Sequence, residues 1–148
     1  MTKSFFSTKL QRAYSVGALL YTPASRNTIA SAVCRQQFGT RYSLALCLED
    51  TINDAYLLQA EQQAVHTLQQ IALAQEQQNF YLPQIFIRLR APEQLSRLLK
   101  QLGSDCSVLT GFIFPKFSLE NASAYLEALT EANSQQRDKK FYMMPVLE

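Results

Sequence analysis

Glycine is scarce in this chain, four residues in 148, and none lies in Thr22-Pro23-Ala24-Ser25, the turn that closes the first apolar run. An open nucleotide-binding sheet uses a glycine-rich first turn to bring its backbone close to phosphate, so that mode of ligand binding is missing here. Basic clusters are absent too. The net charge is only +2 and no Lys/Arg run carries interleaved aromatics, which argues against a dedicated nucleic-acid binder. Cysteine is limited to Cys34, Cys47 and Cys106, an odd number without C-x-x-C spacing. They read as small core residues of a protein in a reducing compartment. No apolar run approaches the roughly 20 residues that cross a bilayer, and no basic start leads into a long apolar region, so no membrane role and a cytoplasmic location are expected. The single histidine, His66, has no acid or nucleophile placed around it by spacing and reads as structural and partly exposed.

What is present is the make-up of one globular domain over residues 1–148, with 47% hydrophobic and 18% charged residues, enough to bury a sizeable core. Its most telling stretch is Tyr42-Ser-Leu-Ala-Leu-Cys-Leu-Glu-Asp50. The run is too short for a helix and apolar on both faces, as in a buried strand of a parallel sheet, and it ends abruptly in two carboxylates. Similar runs are Val16–Tyr21, Ile85–Arg90, Gly111–Phe114 and Phe141–Leu147. Between them lie helical patterns: Ile29, Ala30, Val33 and Cys34 with Gly39 as a stop; Leu57, Ala60, Ala64, Leu68 and Ile71 after a cap at Asn53 or Asp54; Leu95, Leu98, Leu99 and Leu102 between Pro92 and Gly103; and Ala122, Tyr125, Leu126 and Leu129 after a cap at Ser118. Asn133 to Lys140 reads as a polar loop, Ser25 as a turn residue, and Met143 and Met144 as core filler.

Five strands alternating with helices predict an α/β protein with a parallel sheet and right-handed crossovers. Spacing alone leaves two architectures open. One is a five-stranded doubly wound sheet; the other is the first five strands of an eight-stranded barrel, which typically takes about 250 residues. In either, Glu49, Asp50, Arg88, Lys116 and Glu148 fall at C-terminal strand ends, the edge where ligands bind in such sheets.

The wording of those strand ends carries a resemblance. Leu19-Leu20-Tyr21-Thr22-Pro23-Ala24, Leu46-Cys47-Leu48-Glu49-Asp50, Phe86-Ile87-Arg88-Leu89, Ile113-Phe114-Pro115-Lys116 and Pro145-Val146-Leu147-Glu148 together resemble the citrate lyase β-subunit and HpcH/HpaI aldolase superfamily, within it the stress-cluster carbon–carbon bond lyases of TIM-barrel fold. The resemblance implies a (β/α)8 barrel, present here as its N-terminal portion. It also implies a divalent-metal-dependent lyase or aldolase, with Mg²⁺ holding a 2-oxo acid or acyl-thioester substrate while an enolate forms. On that basis Glu148 matches one of two metal-binding acids, and Arg88 matches an arginine whose planar fork suits a substrate carboxylate or the enolate oxygen. Glu49 and Asp50 match a Leu-Glu-Asp turn that would orient metal waters or the arginine, and Lys116 matches a basic residue for substrate or structural support.

Two departures qualify the match. Arg90 stands where citrate lyase relatives usually carry asparagine, which bears on substrate preference. The family's second metal acid comes from the strand after the fifth, which these 148 residues do not reach. A single carboxylate holds Mg²⁺ weakly, so a polypeptide of this length is expected neither to bind the metal tightly nor to turn over alone. The competing expectation is a non-catalytic barrel fragment that self-associates, as a homo-oligomer, or pairs with a complementing C-terminal segment, because its first and fifth strands would be open edges.

Overall fold

The computed structural model describes residues 8–147. Its order is α1 (Thr8–Ser15), β1 (Ala18–Pro23), α2 (Ile29–Cys34), β2 (Tyr42–Cys47), α3 (Leu57–Gln77), β3 (Gln84–Arg88), α4 (Glu93–Leu102), β4 (Gly111–Phe114), α5 (Ala122–Ser134) and β5 (Tyr142–Pro145), with 3₁₀ turns at Asp54–Tyr56 and Gly103–Val108. The five strands form one parallel sheet in the order β1-β2-β3-β4-β5. Each crossover therefore moves one strand in the same direction. A doubly wound sheet reverses its order at a switch point, and the described strands contain no reversal, so the doubly wound alternative gives way to barrel-type winding.

One-sided burial follows from that winding. Leu44, Leu46 and Leu48 of β2 and its exit, Ile85 and Ile87 of β3, and Phe112 and Phe114 of β4 join one core with Ile29 and Val33 of α2, Leu68 and Ile71 of α3, Leu95 and Leu98 of α4 and Tyr125 of α5. Each such fully buried Leu or Ile contributes about 1.5–3 kcal/mol relative to exposure. The alternate residues, Ala45, Phe86 and Ile113, form a second, smaller cluster on the opposite face with Val16, Leu19, Met144 and Val146. In a closed barrel that face is the interior. Among the described residues the sheet is open, and its edge strands are the least covered: Leu20 and Tyr21 on β1 and Tyr142 and Met143 on β5 are exposed.

A polar clamp fastens α3 to α4 inside the apolar layer. Glu61 is buried, and its carboxylate accepts hydrogen bonds from Arg97 Nε at 3.0 Å, Arg97 Nη2 at 2.6 Å and Gln94 Nε2 at 2.7 Å. The hydrogen bond to Glu61 raises the Arg97 pKa. Gln94 also accepts from the backbone N–H groups of Arg90 at 2.5 Å and Ala91 at 3.2 Å, serving two donors at the start of α4. Among the described residues no helix is long and apolar enough to cross a membrane.

Several local expectations change. Thr22 and Pro23 continue β1, since an edge strand tolerates a residue without N–H. Strand β3 stops at Arg88, leaving Arg90 in the loop, and β5 is shorter than its apolar run. Helix α2 ends at Cys34, ahead of Gly39, and α5 reaches Ser134 into the predicted loop. Asn121, not Ser118, is the N-cap residue of α5. Leu126 and Met143, read as core, are exposed. Asn53 does cap the turn before α3, accepting from the N–H of Ala55 at 3.0 Å, and His66 is exposed.

Candidate functional site

Residue alternation decides which side chains reach the sheet's open face. Ile87 points to the helices, so its neighbour Arg88 points the other way, in register with Cys47 on β2 and Ile113 on β4. Likewise Leu48 is in the helical core and Glu49 follows on the open side. The ladder persists past the strand ends: Leu48 N donates to Arg88 O at 2.9 Å, Leu89 N to Ile113 O at 3.1 Å and Phe117 N to Val146 O at 2.8 Å. The rim at the C-terminal edge is thus held by backbone on four consecutive strands.

On that rim Arg88 Nη2 lies 2.6 Å from Glu49 Oε2 and 3.0 Å from Asp50 Oδ2, and Lys116 Nζ lies 3.3 Å from Glu49 Oε1. Four of the five predicted site residues are therefore brought together. Their environments differ. Glu49 is buried, with 8% of its side chain exposed, whereas Asp50 and Lys116 show 61% and 64%. Glu49 is the central bridge between two cations from neighbouring strand ends, and Asp50 is a wet outer partner. The Arg88–Glu49 contact is close but not aligned as a hydrogen bond, which leaves Glu49 Oε2 and Arg88 Nε without a hydrogen-bond partner. Burial pulls the Arg88 pKa down, but the charges of Glu49 and Asp50 outweigh it and the net shift is upward, so the guanidinium stays charged.

The fifth residue, Glu148, lies outside the described residues. Among the described residues there is no group of three or more His, Cys, Asp or Glu able to hold a metal. Glu49 is committed to Arg88 and Lys116, which leaves Asp50 as the accessible carboxylate of this cluster. The described residues alone do not fit Mg²⁺; Glu148 and further donors would have to supply the site.

A family model described as C-C bond lyase of the TIM-barrel fold matches residues 10–148. The chain belongs to this family. A search of curated proteins finds no match to the chain. For this C-C bond lyase family member, the match spans every strand and every rim residue described above.

Two contributors escaped the sequence reading, and a third has contacts it did not foresee. Tyr21 places its ring 5.9 Å from the Arg88 guanidinium on the exposed β1 edge. Asn121 ties the turn carrying Lys116, donating from Nδ2 to Lys116 O at 2.9 Å and accepting from Ser118 N at 2.9 Å. Lys116 itself has φ 49°, a left-handed conformation uncommon for a side chain of its size, and the Asn121 contacts hold it there. Arg90, read as bearing on substrate preference, turns to the loop after β2: Nε donates to Leu48 O at 3.2 Å and Nη2 to Glu49 O at 2.8 Å, and the guanidinium also meets Ile52 O and Asp54. Its departure from the relatives' asparagine and its place two residues past Arg88 mark it in the sequence, but neither points to this loop.

Proposed function

We propose that this rim binds the carboxylate of a small oxo acid or acyl-thioester-derived substrate and supports making or breaking the carbon–carbon bond next to its carbonyl. The observation that carries this reading is the convergence of Arg88 and Lys116 on one buried carboxylate at the C-terminal edge of a barrel-type sheet. Cleavage leaves the bonding electron pair on the fragment next to the carbonyl as an enolate. A fixed guanidinium can hold that oxygen or the adjoining carboxylate through paired N–H donors, and it undergoes no reorganisation as charge develops. Glu49 orients the two cations, while Asp50 adds charge compensation at the solvent side. The Glu49, Asp50, Arg88 and Lys116 set is formally neutral, so a bound dianion would add uncompensated charge. Mg²⁺, which the family resemblance implies, would supply that compensation, with Glu148 among its ligands.

Oxalate, a planar dianion shaped like the enolate of a 2-oxo acid, is the test ligand. In nitrogen-detected spectra, titration is expected to shift the Arg88 Nε–H and Lys116 signals together and saturably. Shifts absent at Arg88, or spread without saturation, would sink the reading. Mg²⁺ alone is expected to bind only on the order of millimolar or weaker, because Asp50, the one accessible carboxylate of the cluster and itself paired with Arg88, is a poor site for it.

A second reading is favoured by the exposed edges at Leu20, Tyr21, Tyr142 and Met143. In it the open face is covered by another copy of the chain or by a complementing barrel segment, since uncovered strand edges template pairing. Sedimentation over a concentration series is expected to detect self-association; a monomer at every concentration would remove the homo-oligomer form of this reading.

A further inference from the structure

We propose that Arg90 is the positioning residue of this rim: its guanidinium holds the backbone of Leu48 to Ile52 so that Glu49 and Asp50 meet Arg88. Every side-chain partner of Arg90 lies in one short segment, the carbonyls of Leu48, Glu49 and Ile52 and the carboxylate of Asp54. That segment contains both acids of the site. Apart from the cap at Asn53 its backbone has few other bonds: Leu48 N to Arg88 O at 2.9 Å, Ile52 N to Glu49 O at 3.2 Å and a weak Thr51 hydroxyl contact to Cys47 O at 3.4 Å. Three carbonyls bending toward one point need a donor group with several N–H vectors in a fixed plane, and arginine provides this where the single ammonium of lysine does not.

The arginine is itself anchored. Its N–H donates to Gln94 Oε1 at 2.5 Å, and Gln94 is held in turn by the buried Glu61, which Arg97 also grips. A continuous set of hydrogen bonds thus runs from the α3–α4 clamp through Arg90 to the acids beside Arg88. Four of the five N–H donors of Arg90 are used by that loop, so Arg90 acts mainly through it.

Arg90→Lys tests this, with Asp54→Asn as a gentler variant that removes only the exposed carboxylate and Arg97→Gln as a control that weakens the clamp without touching the loop. The readouts are amide exchange along the chain and the Arg88 Nε–H signal. For Arg90→Lys, exchange at residues 49–53 is expected to accelerate at least about tenfold, as the loss of one charge-assisted bond implies, with a moved Arg88 signal and little change in β3 and β4. Asp54→Asn should change the same signals less, and Arg97→Gln, which leaves the Gln94–Glu61 hydrogen bond to hold Arg90, should lower the melting temperature while moving the Arg88 signal far less than Arg90→Lys does. Unchanged loop exchange, or acceleration spread evenly over the whole chain, overturns the assignment. As far as ligand affinity is concerned the inference rests on the proposed function. Where wild type binds oxalate, Arg90→Lys should weaken it by about tenfold. Wild type failing to bind oxalate would defeat that function but leave the exchange result standing as the test of Arg90.

Discussion

Gly111→Ala is expected to destabilise the protein by roughly 3 kcal/mol, the upper end for overpacking, and to loosen β5 before the rest of the sheet. A methyl on Gly111 would clash with the carbonyl oxygen of Tyr142 and sit 2.8 Å from that residue's backbone carbon and nitrogen. Those atoms belong to the paired strand itself, in the register Gly111↔Tyr142, so no flexible side chain is available to yield. Among the described residues β5 has only β4 as a strand neighbour; it is further tied by the Phe141 ring, 5.9 Å from that of Phe112, by the Asn133 side chain, which bonds both the N–H and the carbonyl of Phe141, and by the Arg12 guanidinium, 5.4 Å from the Tyr142 ring. Alanine at Gly17 is a useful contrast, because the space there is open and the cost of about 1–2 kcal/mol would come from φ 59° alone. Denaturant melts and amide exchange separate the two. A Gly111→Ala protein within about 0.5 kcal/mol of wild type, with β5 amides still protected, would mean that β4 and β5 are not paired as described.

Much of this architecture was legible because local signals and tertiary placement agree. The glutamine-rich outer face of α3 and the leucines of α4 mark their own burial, and Pro115 and Pro145 punctuate strand ends where a missing N–H costs little. Winding direction is another matter. An alternating βα sequence reads the same whether successive strands are added on one side or two, and only the observed order β1 to β5 decides it. Leu126 and Met143 were misjudged for a related reason: periodicity reports that a side chain is apolar, while burial depends on a neighbour being there, and these positions are exposed.

The site was legible at one level and closed at the next. Acids and cations at strand ends announce a rim, so Glu49, Asp50, Arg88 and Lys116 could be named from spacing. Their division of labour could not, since it depends on loop geometry that no short-range pattern encodes. Glu49 becomes the buried bridge because Leu48 must face the helices, and Lys116 reaches it through a left-handed turn that Asn121 secures. Arg90 illustrates the limit. Two residues beyond Arg88 it would share the same face of an extended strand, but β3 ends at Arg88 and the side chain turns instead to the carbonyls after β2.

Replacing Arg88 with methionine is expected to weaken oxalate binding by about 10–100-fold, the equivalent of one charge-assisted paired contact. The same change should lower stability by about 2 kcal/mol, less than the 3–5 kcal/mol typical of a fully buried pair, because Lys116 still faces Glu49 at 3.3 Å. Since the Arg88 pKa is raised, its stabilising charge is present below the ordinary arginine value and would be lost only as pH climbs through the still higher folded value. Neither effect should therefore titrate near neutrality through this residue. The two losses have separable origins. Stability falls because a buried carboxylate is stranded, so adding Glu49→Gln should restore about 1–2 kcal/mol, a coupling expected of groups in direct contact. Binding falls because the planar donor is gone, and Glu49→Gln cannot bring it back; Arg88→Lys should recover charge but little affinity, lacking the fork. A double variant no more stable than Arg88→Met would mean that Glu49 does not depend on Arg88, and undiminished oxalate binding in Arg88→Met would move the acceptor elsewhere on the rim, with Lys116 the next side chain to test.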